Sequence, residues 1–203
     1  MTHFLSLSRA IFPPLAMLIA LTTAPGAVAQ SDTVAVREAP DARVAAMPVA
    51  LYNAQANLQE ATDTAVGKLA NEVLQSRLQG LLGSQLAPQQ RVTAIASSTR
   101  ARQVTGGQAC NVIVSCSRMV ASSLQAPWVV MAKVSKTSNL IWLFTGQLIN
   151  VRTGKILLDD STELKGEPGA MVRAGTRIFA ERIARTVKQG GLVTNFPTAA
   201  ATR

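Results

Sequence analysis

Residues 128 to 164 constrain the fold more than any other stretch, because they read as three consecutive β-strands with turn chemistry between them. Trp128-Val129-Val130-Met131-Ala132-Lys133-Val134 is rich in the β-branched and aromatic residues that suit a pleated surface, and Leu140 to Val151 continues in the same style. Lys136-Thr137-Ser138-Asn139 separates them with a turn composition. Arg152-Thr153-Gly154-Lys155 then supplies a glycine able to close a hairpin in the left-handed conformation, and Ile156-Leu157-Leu158 opens the third strand. Such a meander carries no reactive chemistry of its own. It sets a sheet that long amphipathic helices elsewhere in the chain can bury themselves against.

The amino-terminal 29 residues read as an export signal. Arg9 provides positive charge, Ile11 to Leu21 an apolar region, and Ala27-Val28-Ala29 a small-x-small cleavage site, so cleavage after Ala29 is expected. The apolar run is too short for a membrane-spanning helix, which needs about twenty apolar residues, and Pro13-Pro14 interrupts it. No transmembrane segment is therefore expected in the mature chain. Residues 30–42 form a polar, alanine-rich lead-in, residues 43–188 one domain with its own core, and residues 189–203 a tail expected to be disordered. The whole chain carries a formal charge of +9, and loss of Arg9 leaves +8. Export shifts the matching counter-charge from nucleic acid to anionic envelope components or an acidic envelope protein.

Within the domain, Arg43 to Tyr52 is apolar and reads as a first strand in which Pro48 marks an edge, a bulge or a stop. Thr62 to Leu82 is the clearest helix: Val66, Leu69, Ala70, Val73, Leu74, Leu78 and Leu81 recur at three- and four-residue spacing, with Gly83 as a stop. Arg77 falls inside that apolar arc, either as an aliphatic stem with its guanidinium in water or as a charge reaching a ligand. Gln90 to Ile95 reads as a second strand and Ser97 to Gln108 as a polar loop containing Gly106-Gly107. Asn111 to Leu124 reads as a shorter helix with Val112, Cys116, Met119, Val120 and Leu124 on one face. Pro168 to Lys188 forms the last helix, with Met171, Val172, Gly175, Ile178, Phe179, Ile183 and Val187 on one arc and Arg173, Arg177, Arg185 and Lys188 opposite. Glu181 lies four residues from both Arg177 and Arg185, which predicts pairing along the helix surface.

The only histidine, His3, lies in the export signal. Ser-His-Asp and Cys-His nucleophile systems and histidine-based zinc sites are thereby removed from consideration. Asp159 and Asp160 are neighbours on a strand and point to opposite faces, so they do not converge as an acid and base or as metal ligands. They read instead as charges that guard a strand edge. Neither a metal nor a cofactor is expected, and Lys133 and Lys136 have no context as catalytic bases. Cys110 and Cys116, both in the exported part, are expected to form a disulfide. Six helical residues rise by about 9 Å, against roughly 5.5 Å between bridged Cα atoms, so Cys110 must lie outside the helix or at its cap. A redox pair is the alternative, without the C-x-x-C spacing.

Cys110 and Cys116 ahead of a short helix, Gln125-Ala126-Pro127-Trp128-Val129-Val130, Lys133 to Ile141, and Val151-Arg152-Thr153-Gly154-Lys155 together resemble a family of exported proteobacterial proteins of unknown function. More distantly, the layout is similar to the amino-terminal domain of TolB and to the α/β domains of the curli secretion channel and of the lipoprotein activators of penicillin-binding proteins. That resemblance implies an α/β (α+β) fold and an assembly or adaptor role without catalysis. Gln125-Ala126-Pro127 stands where such domains carry Gly-Ala-Asp, and the lipoprotein cysteine is absent.

The expected architecture is one α/β domain with a mixed sheet of about five strands, a carboxy-terminal antiparallel meander and two to three helices. The expected function is a non-catalytic periplasmic accessory protein that binds another envelope component through Arg173, Arg177, Arg185 and Lys188 or an exposed edge of the meander. The alternative is a small-molecule carrier, or an accessory to a periplasmic oxidoreductase, with a pocket near Trp142 and Phe144. Those two aromatics share a strand face with Leu140 and Leu148, so their spacing equally suits core packing.

Overall fold

The computed structural model describes residues 42–53, 61–138 and 141–190. The expected export signal, the expected lead-in before Ala42 and the expected tail beyond residue 190 lie outside them. Elements follow in the order β1 (Val44–Ala46), β2 (Ala50–Asn53), α1 (Ala61–Leu82), α2 (Gln89–Ala96), α3 (Thr99–Thr105), α4 (Val114–Ser123), β3 (Trp128–Lys136), β4 (Ile141–Asn150), β5 (Ile156–Lys165) and α5 (Pro168–Lys188). The expected α+β class and five-stranded mixed sheet are observed, with five α-helices where two to three were expected.

β3 takes β1 and then β2 in parallel on one side and β4 antiparallel on the other, and β5 forms the outer edge of the meander. Pro48 splits what the sequence presents as one strand. It has no amide to donate to the ladder, and its carbonyl instead accepts from Asn111 Nδ2 at 3.0 Å. The Val49 amide leaves the ladder too, donating to Asn71 Oδ1 at 3.0 Å. In the β4–β5 turn Gly154 has φ +73°, and its amide donates to the Asn150 carbonyl at 2.8 Å. That left-handed position is the reason for glycine in Thr153-Gly154-Lys155.

The sheet separates two apolar clusters. One lies under α1 and α5 and contains Val44, Trp128, Val130, Val134, Trp142, Phe144 and Leu148 with Leu74, Leu78, Phe179 and Ile183. The other lies under α2, α3 and α4 and contains Ala45, Met47, Val129 and Ile149 with Val92, Ala101, Cys116 and Val120. Phe179 reaches the sheet because Gly146 on β4 has no side chain: a Cβ there would lie 2.4 Å from Phe179 Cζ. Its ring meets Phe144 edge-on, with centroids 5.4 Å apart. Full burial of Phe179, Ile183 and Val187 contributes roughly 1.5–3 kcal/mol each and holds α5 on the sheet.

Gln90 to Ile95 is not a strand but lies in α2, and residues 99–105 are not loop but α3. The mistaken readings come from short segments in which two periods compete. Val92 and Ile95 are three apart, as a helix face requires, yet Val92-Thr93-Ala94-Ile95 also suits a strand. The Pro88 carbonyl accepts from the Arg91 and Val92 amides and starts α2. Ser98 Oγ accepts from the Ala101 amide at 3.2 Å to cap α3, and Gly106, at φ +61°, ends it. Ile178, placed on the buried arc of α5 by its spacing, is 46% exposed, and Thr176 and Ala180 are buried in its stead. Val112 likewise leaves the expected α4 face: it sits in a 3₁₀ turn, 48% exposed.

Cys110 and Cys116 form a disulfide with Cα atoms 5.3 Å apart. Cys110 lies in the 3₁₀ turn before α4, outside the helix as the rise argument requires. Ser117 Oγ donates to the Cys110 carbonyl at 3.0 Å and fixes the same corner.

Candidate functional site

α1 has a wider apolar arc than it buries. Ala70, Leu74, Leu78 and Leu82 face the sheet, while Leu69 and Val73 remain half-buried along one flank. That flank meets α5, and between the two helices runs a groove of ≈ 720 Å³. Leu69, Val73, Ala170 and Ala174 give it an apolar floor, Ser76 and Gly80 keep it open, and Glu72, Arg77, Arg173 and Arg177 form its rims. The lining residues of α5 fall at i, i+3, i+4 and i+7, one stripe of a helix surface.

The charges of the groove divide into committed and available. Arg77 Nη2 donates to Glu181 Oε1 at 2.8 Å across the helix pair, with both side chains partly in water. It therefore contributes at most about 1 kcal/mol of stability and mainly sets the spacing of the rims. Glu181 thus binds Arg77 of the facing helix, rather than Arg177 along its own helix as its spacing predicted. Lys68 lies 3.8 Å from Glu72. Arg173 and Arg177 are exposed and make no ion pair or side-chain hydrogen bond with the described residues. Arg173 does lie in the field of Glu167, the residue that caps α5. The Glu167 carboxyl is held below its ordinary value chiefly by the amides of Ala170 and Gly169, which donate to it, with Arg173 adding to the effect.

Of the expected partner surface, the structure brings Arg173 and Arg177 together at the groove and leaves Arg185 and Lys188 in the last turns of α5, away from it. Arg77, weighed as a stem or a ligand-reaching charge, is a rim residue in an ion pair. Trp142 and Phe144 are the residues of the alternative pocket reading. Both are in the core, 3% and 0% exposed, and none of the three clefts described for this chain is lined by either. Asp159 and Asp160 do point to opposite faces of β5, the edge strand. Asp159 Oδ1 accepts from Gln147 Nε2 at 3.3 Å, and Asp160 Oδ2 pairs with Arg182 of α5 at 2.9 Å.

Two features escaped the sequence reading. Asp63 in the first turn of α1 is 1% exposed and binds Lys136 Nζ at 2.9 Å and Asn53 Nδ2 at 3.2 Å. This ties the ends of β2 and β3 to the start of α1, with the ammonium 5.8 Å from the centre of the Trp142 ring. Lys136, read as turn, is the last residue of β3. The second feature is a cleft of ≈ 490 Å³ on the opposite sheet face, lined by Tyr52, Val112, Val114, Met131, Lys133 and Gln147 among others. Among the described residues, no group of three or more His, Cys, Asp and Glu side chains could hold a metal ion. No helix among them is long and apolar enough to cross a membrane.

Residues 42–183 match the family DUF3280, described as protein of unknown function (DUF2380). The chain belongs to that family. The match runs from the residues before β1 into the last turns of α5 and so takes in both walls of the groove. No curated protein matches the chain. Among solved structures, this DUF3280 domain is similar to the LpoB C-terminal domain from Salmonella enterica, at 18% identity and a TM-score of 0.41 over 62% of this chain and 84% of that one. It is also similar to TolB from Acinetobacter baumannii, at 13% identity and a TM-score of 0.39 over 73% of this chain and 29% of that one. Lipoprotein GNA1162 from Neisseria meningitidis stands at 12% identity and a TM-score of 0.39, over 73% and 99% of the two chains. TolB was already a distant likeness on sequence layout. At these scores the likenesses assign no activity to the DUF3280 chain.

Proposed function

We propose that this protein is a non-catalytic accessory of the bacterial envelope, exported to the periplasm, that binds another envelope component through the groove between α1 and α5. The observation that carries the reading is the pair Arg173 and Arg177, one helical turn apart on a groove rim, both exposed and neither held by an ion pair or side-chain hydrogen bond among the described residues. An arginine on a solvated helix face needs no explanation. Two beside a concave apolar floor present apolar surface and charged donors to the same visitor. An export signal at the amino terminus and the confinement of the only histidine to it support an envelope location and a role other than acid-base catalysis.

The test is charge reversal in place. Arg173→Glu with Arg177→Glu is expected to abolish capture of the partner by crosslinking in intact cells, while the purified variant melts as the parent does. Unchanged capture with an intact fold would remove the groove from the function. Arg185→Glu with Lys188→Glu, outside the groove, serves as the comparison and is expected to leave capture intact.

A further inference from the structure

We infer that the occupant of the α1–α5 groove is an amphipathic α-helix of about three turns, carrying carboxylates at i and i+4 along one flank. The inference rests on the groove being the binding site and adds what it binds. Three features of the groove argue for this occupant over an extended strand or a lipid headgroup.

The first is length and period. The lining residues of α1 run from Leu69 to Gly80 at positions 69, 72, 73, 76, 77 and 80, and those of α5 are 170, 173, 174 and 177. Each wall is thus one helical stripe. Eleven residue steps at 1.5 Å give a groove about 16 Å long, or three turns of helix. Two parallel or antiparallel stripes of this kind form the ridges and hollows into which a third helix packs, whereas a β-strand has a period of two and needs an open backbone edge that neither wall offers.

The second is the size of the floor residues. Ala170, Ala174, Ser76 and Gly80 are small, and a Cβ at Gly80 would meet no atom within 4 Å. Small residues let another helix axis come close and leave hollows for its larger apolar side chains.

The third is the distribution of charge. The α5 rim carries Arg173 and Arg177, four residues apart and therefore about 6 Å along the helix axis. The α1 rim is mixed, with Glu72 beside Lys68 and Arg77 held by Glu181. A helix with Glu or Asp at i and i+4 on one flank matches the α5 rim at its own spacing and meets no net charge on the other. A phosphate-bearing headgroup would satisfy the arginines but leave the second stripe, Leu69 and Val73, without a matched partner.

The experiment uses the exported chain and a fluorescent synthetic peptide with leucines at i, i+3, i+4 and i+7 and glutamates at i+1 and i+5 along one flank. A scrambled peptide of the same composition, a lysine-for-glutamate peptide and phosphatidylglycerol vesicles are measured alongside by anisotropy and sedimentation. The amphipathic acidic peptide is expected to bind, gain helical ellipticity on binding, and weaken at least tenfold on Arg173→Glu with Arg177→Glu. The double variant is expected to bind the lysine peptide in its place. Gly80→Leu, which fills the groove from an open position without altering charge, is expected to weaken binding similarly. Equal binding of the scrambled peptide, or preferential binding of the vesicles, overturns the helix. If the peptides fail while charge reversal still abolishes capture in cells, the groove keeps its function and the helical occupant falls; if capture also survives charge reversal, both fall.

Discussion

The ion pair between Asp63 and Lys136 gives the sharpest test of how the domain is held together. The two side chains are 1% and 7% exposed and their charged atoms lie 2.9 Å apart. At that distance, with an effective dielectric constant of about 20, the attraction is about 6 kcal/mol before the cost of taking two ions out of water is subtracted. Desolvation cancels much of it, so the pair itself stabilises the fold little. Removing one partner is different, because the other stays buried. Lys136→Met leaves the Asp63 carboxylate in the interior, and Asp63→Asn leaves the ammonium there; each is expected to cost about 3–5 kcal/mol, a large part of the stability of a domain this size. The double variant removes both charges and is expected to recover most of that loss. Urea unfolding of the disulfide-intact protein measures all four corners of the cycle. With a slope near 2 kcal/mol/M, each single change should lower the midpoint by about 1.5–2.5 M at constant slope. Single losses below about 1 kcal/mol, or a double variant at the sum of the singles, would refute the argument that the pair is buried and mutually dependent.

Gly146→Ala is expected to cost about 1–3 kcal/mol in thermal unfolding, since its Cβ would lie 2.4 Å from Phe179 Cζ; Phe179→Leu in the same chain should restore part of it. Cys110→Ser with Cys116→Ser should lower stability by about 2 kcal/mol by urea unfolding, because the closed loop is short. Glu167 has a lowered folded-state pKa, so its cap on α5 contributes stability that is complete above the unfolded value and lost as pH falls through the folded one. Amide exchange at Gly169 and Ala170, referenced to the intrinsic rate at each pH, should therefore lose protection only below the ordinary carboxylate range. Glu167→Gln should show no such step.

The sequence disclosed most where one period ran long enough to exclude the other. The meander and α5 are there to within two residues at each end, since β-branched and aromatic runs of nine or ten positions bounded by turns, and a helical repeat over 21, admit one reading. α2 and α3, at eight and seven residues, are too short for the period to decide. Their signals were local instead: Pro88 before the first turn, Ser98 as a cap and Gly106 as a stop. Half of the candidate site was legible, because Arg173 and Arg177 stand on the polar side of α5. The other half was not. A pairwise spacing rule predicts that Glu181 meets arginines of its own helix, and only the packing of α1 against α5 brings it to Arg77. Asp63, Asn53 and Lys136 are distant in sequence and of types that normally face water, so no linear pattern marks them as one buried group.

The most direct measurement of the central claim is site-specific photocrosslinking in living cells, with benzoylphenylalanine placed at Glu72 on the α1 rim of the groove or at Thr145 on the opposite face of the sheet. Crosslinking at Glu72 to one discrete species, lost on Arg173→Glu with Arg177→Glu and absent from the Thr145 position, is the predicted result. Adducts that form at Thr145 alone, or that persist at Glu72 after both arginines are reversed, would contradict it.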